Sequence, residues 1–220
     1  MITGNIIPIT AQVAKDFLLP RHYSGRVPSI SKAFGWYVDD VLSAVITFGK
    51  PASPALCKGI CGEQWSSSVY ELNRLCRIEE FDQPLSHLVS TALKALKEEN
   101  WIIVSYSDTA MHHNGYIYQA CNFLYTGQTK ERTDIYIGEN KHSRHYTEED
   151  KDNAIRIVRS AKNRYVYFCT KSKSLRKQWL ADLQYPILPY PKEENQNYIL
   201  GDYIKPTLIN KYTKERVSNV

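Results

Sequence analysis

Between Val69 and Lys130 the chain switches repeatedly between the periods of strand and helix, and that alternation limits its fold more than any other feature. VYELNRLCRI (69–78) alternates as a strand, with Leu72 and Leu75 apolar and Glu71, Asn73 and Arg74 polar. From Leu85 the apolar positions are 85, 88, 89, 92, 93 and 96, the spacing of one buried helical face, which predicts a helix over 85–98. WIIVSYS (101–107) then reads as a buried strand, a second helix is predicted over 114–122, and LYTGQTK (124–130) resumes as strand. Strand, helix, strand, helix, strand implies right-handed crossovers and a central mixed sheet flanked by helices, an α/β (α+β) class.

The flanking segments fit that frame. A short strand is expected over 5–9 and a helix over 10–19, with Thr10 as its cap. RHYSGRVPS (21–29) reads as loop, and AFGWYVDDVLSAVITFG (33–49) as two strands turning at Asp39-Asp40. The stretch 50–68, rich in Pro, Gly, Ser and Cys, reads as a long irregular loop. Later, RYVYFCT (164–170) is a strand, and Ser174 is expected to cap a helix over 174–183. Beyond Pro186 three prolines and little periodicity predict an extended tail, so the expected organisation is one catalytic body over 1–185 and a tail over 186–220. The 220 residues, 43% hydrophobic, suffice for a buried core.

The five cysteines are odd in number and make no paired metal-knuckle pattern, CKGIC (57–61) being at most half a site. No signal peptide precedes them and no apolar run reaches the roughly 18 residues of a membrane span, so a reducing, cytoplasmic setting is expected.

Ligands of an open sheet gather where the central strands end. Asp108 follows the strand 101–107, where a carboxylate can serve as a general base, a metal ligand or a helix cap. His112 and His113 are adjacent, so at most one converges on a site. Tyr116 and Tyr118 stand about 200° apart on a helix, and Tyr118 is the one expected to face the cleft. His22 and Tyr23 lie in the polar loop RHYSG, where no periodic pattern demands their bulk; they suit a metal, a phosphate or a base, or simply close the loop. GxGxxG, GxxxxGK[ST], GxSxG, HExxH and a DPPY-like motif are all missing, which argues against dehydrogenases, nucleotide hydrolases, zinc proteases and amino methyltransferases.

The net charge of +5 is concentrated: Arg156, Arg159, Lys162, Arg164, Lys171, Lys173, Arg176 and Lys177 are eight basic side chains in a run with no acidic one. Tyr165, Tyr167 and Phe168 interleave with them. A nucleic acid selects that mixture, because phosphates take the charge and bases stack on the rings. A solvated cationic surface is the plainer reading.

RHYS (21–24), YELNRL (70–75), SYSD (105–108) and HNGYIYQACNFLYTGQT (113–129), in that order, resemble the Mom family of phage DNA adenine-modification proteins; the resemblance extends to RYVYFCTKSKSLRKQWL (164–180) and YPILPYPK (185–192). It implies a variant of the GNAT acyltransferase fold and an enzyme that adds a carbamoylmethyl group to the exocyclic amine of adenine, protecting phage DNA from host restriction. It implies double-stranded DNA as partner, with the target base flipped out of the stack. The residues matching the family's functional positions are His22, Tyr23, Asp108 and Tyr118, with iron as an associated metal and His22 and Asp108 as ligands of a hard type. GNAT enzymes hold coenzyme A on a glycine-rich turn after the fourth strand. Here that turn is RIEEFDQPLSH, without glycine, and Arg74, Arg77 and Ser86 are the residues left to hold an acyl donor's phosphates. The competing readings are a GNAT-type acyltransferase on a small amine or protein lysine, and a non-catalytic nucleic-acid binder. The oligomeric state stays open, a dimer included.

Overall fold

A computed structural model describes residues 2–22, 24, 26–137, 147–192 and 204–219. The chain divides into two compact units: unit 1 comprises 1–106, 115–127 and 164–190, and unit 2 comprises 107–114, 128–163 and 191–220.

Unit 1 is built on a seven-stranded sheet flanked by helices. Its strands are β1 (Asn5–Pro8), β2 (Lys32–Val38), β3 (Val41–Gly49), β4 (Val69–Arg77), β5 (Trp101–Asp108), β6 (Leu124–Gln128) and, later in the chain, β9 (Lys162–Cys169). The spatial order is β1-β2-β3-β4-β5-β9-β6. β1 to β4 pair antiparallel, and β4 and β5 pair in parallel as the crossover through α3 (Leu85–Ala95) requires. Asp39 and Asp40 turn the β2–β3 hairpin with φ of 47° and 62°, the geometry that favours Asp in two-residue loops.

β5 explains why its sequence is apolar throughout. Trp101 and Ile103 face one core with Trp36, Phe48, Leu88 and Leu93, while Ile102 and Val104 face another with Ile60, Val166 and Trp179. A strand covered on both sides cannot alternate with polar residues. A third cluster, Ala14, Phe17 and Leu18 of α1 (Ala11–Leu18) against Val45 and Cys76, closes the sheet beyond β3. Thr10 caps α1 as expected, its hydroxyl accepting from the Val13 amide at 3.3 Å.

The stretch 50–68 departs from the loop expected there. It contains α2 (Pro54–Cys61), capped by Ser53 with Pro54 at its first turn, and a 3-10 turn over Glu63–Ser68. The same Ser-Pro and Gly residues that read as loop composition are the start and stop signals of a short helix. The helix expected to start from a Ser174 cap, α6 (Lys173–Asp182), starts earlier: Ser172 accepts from the Leu175 amide at 3.1 Å. Ser172→Ala should therefore cost about 1 kcal/mol in urea unfolding, whereas Ser174→Ala should stay within about 0.5 kcal/mol of wild type. A larger loss at Ser174 would contradict the observed cap.

After α6 the chain runs without regular structure along β6, the edge of the sheet. The Leu188 amide donates to Tyr125 O at 2.9 Å, and the Tyr190 hydroxyl donates to Phe123 O at 2.8 Å.

Unit 2 carries a four-stranded antiparallel sheet that the sequence pattern does not announce. Its strands are β7 (Arg132–Ile135), β8 (Ile155–Arg159), β10 (Thr207–Asn210) and β11 (Arg216–Asn219), in the order β11-β10-β8-β7. A short helix, α5 (Glu148–Asp152), precedes β8 with a capping box between Thr147 and Asp150. Residues 207–219, expected within an extended tail, thus form two strands of this sheet. No helix among the described residues is long and apolar enough to cross a membrane.

Candidate active site

The parallel pairing of β4 and β5 is brief. Only Val69, Tyr70 and Glu71 pair, with Ile102, Ile103 and Val104, although β4 continues to Arg77 and β5 to Asp108. On its other side β4 is bulged: Phe48 faces Leu72 and Thr47 faces Arg74, so Asn73 is the extra residue. Asn73 is clamped there, accepting from the Thr47 hydroxyl at 2.6 Å and donating to Ser29 O at 2.8 Å. Gly49 is required beside it, since a Cβ would stand 1.8 Å from the Ser29 carbonyl oxygen. Two central strands therefore part just beyond Glu71, and polar side chains fill the position where both run on.

Ser105, the first β5 residue past the pairing, is buried and donates to Leu72 O at 3.0 Å across the opening. Its one proton so used, it accepts from Tyr118 of α4 (Tyr116–Ala120), to which it is hydrogen-bonded. Tyr118 packs against Phe123 and Tyr165, each ring centroid 5.4 Å away, while Tyr116 is exposed. Tyr118, the tyrosine expected to face the cleft, is the one packed against the core. Glu71, half-buried, is the carboxylate of the opening. Burial is the main cause that pushes up the pKa of Tyr118, of Tyr106 and of Cys57, and the Glu71 charge adds to it in all three. Glu71 pairs with Val104 and so shares the face of Tyr106 and Cys57, while Tyr118 packs against the other core, and the Glu71 charge reaches phenols on both faces of the sheet. In the sequence Glu71 stands out only as a polar strand residue; its signal is a charge at a position paired to a β5 residue that is apolar.

Asp108 belongs to unit 2 and is engaged there. It caps a 3-10 turn over Thr109–Met111 by accepting from the Ala110 amide at 3.0 Å, accepts from the Ser160 hydroxyl at 2.6 Å, and pairs with Lys162 at 3.0 Å. Of the three roles open to it, the cap is visible. His113, half-buried nearby, has its pKa lowered by burial, with Asp108 opposing and His112 adding. In unit 1, His22 accepts from the Ser24 amide through Nδ1 at 3.2 Å, so its Nε2 carries the proton when neutral. Tyr23 lies outside the described residues.

Among the described residues no group of three His, Cys, Asp or Glu side chains could hold a metal. The donors expected for iron do not fit it as they stand: Asp108 spends its oxygens on three donors, one of them the Lys162 ammonium, and His22 spends Nδ1 on the chain. The turn after β4 does not fit a pyrophosphate in the manner of a glycine-rich cradle either. Glu79, Glu80 and Asp82 occupy it, Arg77 donates to Phe81 O, and Arg74 donates to Asn73 O at 2.6 Å and Arg26 O at 3.4 Å. Ser86 sits in the first turn of α3, which has no side-chain cap, and its carbonyl accepts from the Cys121 thiol at 3.3 Å.

The basic run divides between the units. In unit 1, Arg164 is internal, donating to Thr126 O at 2.8 Å and lying 3.4 Å from the Tyr185 ring centroid. Arg176 donates to Phe168 O at 2.9 Å, Lys171 pairs with Glu98, and Lys173 and Lys177 are exposed on α6. In unit 2, Lys162 pairs with Asp108, Arg159 pairs with Asp134 at 3.1 Å, and Arg156 donates to Asn153 O at 3.0 Å. Contiguity in sequence is thus not contiguity of role.

The family model described as Mom protein family matches residues 4–192. A comparison with curated proteins returned no match. Among solved structures, an acetyltransferase from Bacillus subtilis in complex with coenzyme A is similar at 14% identity and a TM-score of 0.46, over 76% of this chain and 99% of that one. An N-acetyltransferase from Staphylococcus aureus Mu50 is similar at 11% identity and a TM-score of 0.47, over 77% and 100%. A GNAT family acetyltransferase from Elizabethkingia anophelis with acetyl-coenzyme A bound is similar at 14% identity and a TM-score of 0.45, over 74% and 97%.

Proposed function

The chain belongs to the Mom protein family, and from that premise we propose that it is a transferase placing a carbamoylmethyl-type group on the exocyclic amine of adenine in DNA, shielding phage DNA from host restriction. The observation that carries the chemistry is the opening between β4 and β5, with Glu71 at its start and Tyr118 held by Ser105 within it.

The adenine amine is a poor nucleophile because its lone pair is conjugated with the ring, and it lies inside the duplex stack until the base is extruded. When its nitrogen bonds to an electrophilic carbon, the leaving group departs with the old bonding pair and one N–H proton must go. In this reading Glu71 takes that proton. Tyr118, kept protonated by burial, turns its one hydroxyl proton from Ser105 to the charge developing on the donor. Asp108 orders the segment after β5 by holding Lys162, Ser160 and the Ala110 amide. His22 and Tyr23 remain proposed site residues.

The test is mass spectrometry of nucleosides from plasmid co-expressed with the protein, in which a heavier deoxyadenosine is expected. Asp108→Ala should reduce its yield about 100-fold through misplacement and lower stability by about 2 kcal/mol. Asp108→Asn, which keeps the cap, should lose less of both. Unmodified deoxyadenosine from cells holding folded wild-type protein would overturn the reading.

A further inference from the structure

Residues directly opposite one another in a ladder share a face of the sheet, and successive residues alternate between faces. In unit 2 the register places Ile135 opposite Arg156, Arg156 opposite Ile209, and Ile209 opposite Arg216. One transverse row therefore crosses all four strands as Ile, Arg, Ile, Arg. Thr133, Val158 and Thr207 share its face by alternation, and Arg216 supports the assignment by donating to the Thr207 hydroxyl at 3.3 Å. The other face is spent internally: Ile157 and Leu208 are buried there, and Arg159 is paired with Asp134. None of the seven residues named on the row's face is acidic, and their side chains are half-buried or exposed.

We infer that this face is where unit 2 docks on the sugar–phosphate backbone of duplex DNA, an inference that rests on the reading of the protein as acting on DNA. Charge complementarity names the occupant: two guanidiniums with no carboxylate on their face among the described residues call for a polyanion, and β-branched residues between them give a flat, sequence-indifferent surface. Arg156 and Arg216 stand two strands apart, about 10 Å, a span comparable with the roughly 6 to 12 Å widths of the DNA grooves. Guanidinium forks carried on backbones that far apart reach phosphates on the two sides of a groove. The β10–β11 turn extends the surface with Tyr212, 69% exposed, whose ring carries Lys211 at 5.0 Å. A ring of that kind at a hairpin tip offers a stacking platform beside the phosphate contacts.

The test measures binding of a short adenine-containing DNA duplex to the full chain by fluorescence anisotropy across a salt series. Arg156→Gln with Arg216→Gln should make the slope of log K against log salt shallower by about two, one for each phosphate that is no longer neutralised. Arg132→Gln, on the opposite face, should leave the slope unchanged. Melting temperatures equal to wild type show that the variants fold. An unchanged slope in the double variant overturns the proposal, as does an equal change on Arg132→Gln or no duplex binding by wild type. If instead the double variant binds DNA normally but falls from dimer to monomer in light scattering, the face joins two copies and the proposal is wrong. The nucleoside assay reads the transferase separately: modified DNA with an unchanged slope removes this docking face alone.

Discussion

Glu71→Gln should lower the yield of modified deoxyadenosine by about 100- to 10,000-fold, the range attached to loss of a positioned proton acceptor, while leaving the melting temperature close to wild type. The substitution keeps shape and hydrogen bonding and removes only the charge. A second readout separates a proton acceptor from a mere spacer. Because the Glu71 charge contributes to the raised pKa of Tyr106 and Tyr118, its removal should shift the ultraviolet titration of buried tyrosine toward lower pH. Full modification by the Gln variant would sink the assignment, and the base would have to be sought elsewhere.

Gly115→Ala should strongly destabilise unit 1. Gly115 adopts φ +83°, and a Cβ there would lie 2.3, 2.6 and 2.7 Å from Cε2, Cζ and the hydroxyl of Tyr165. The ring cannot yield easily. Tyr165 is fully buried, its hydroxyl accepts from Gln119 at 3.2 Å, and its ring packs against both Tyr118 and Tyr125. A left-handed backbone costs an L residue about 1 to 2 kcal/mol and overpacking about 1 to 3, so a loss near 3 kcal/mol is expected. At about 2 to 4 °C per kcal/mol for a chain of this size, the melting temperature should fall by about 6 to 12 °C. A drop below about 2 °C would mean that Tyr165 moves freely, contrary to its packing. Since Tyr118 shares that packing, modification should fall as well, even where the variant remains folded.

The parts of the fold legible in the sequence were those whose pattern is long and whose environment is simple. The α3 face at 85, 88, 89, 92 and 93 and the doubly buried β5 announced themselves because each repeats one period over two or more turns of helix or several strand residues. The strands β7, β8, β10 and β11 did not, being four or five residues long and mixing arginine with isoleucine on half-buried faces. Their apolar residues are too few to mark a period, and only pairing across the chain makes them strands. Asp108 and Tyr118 stand out as candidates because strand ends and helix faces can be counted. Glu71 was not, because nothing local reveals that two parallel strands separate just beyond it; that follows from a bulge at Asn73, which is a property of the β3–β4 register.

The segment that follows α6 has a consequence for the protein's behaviour among its own copies. β6 ends the seven-stranded sheet, and an uncovered terminal strand invites a neighbouring molecule to add its own backbone. The chain meets that hazard with prolines at 186, 189 and 191, which cannot continue a ladder, and with single anchoring bonds from Leu188 and Tyr190. The result is a selvedge: it occupies the margin of the sheet without itself offering a new margin to be joined.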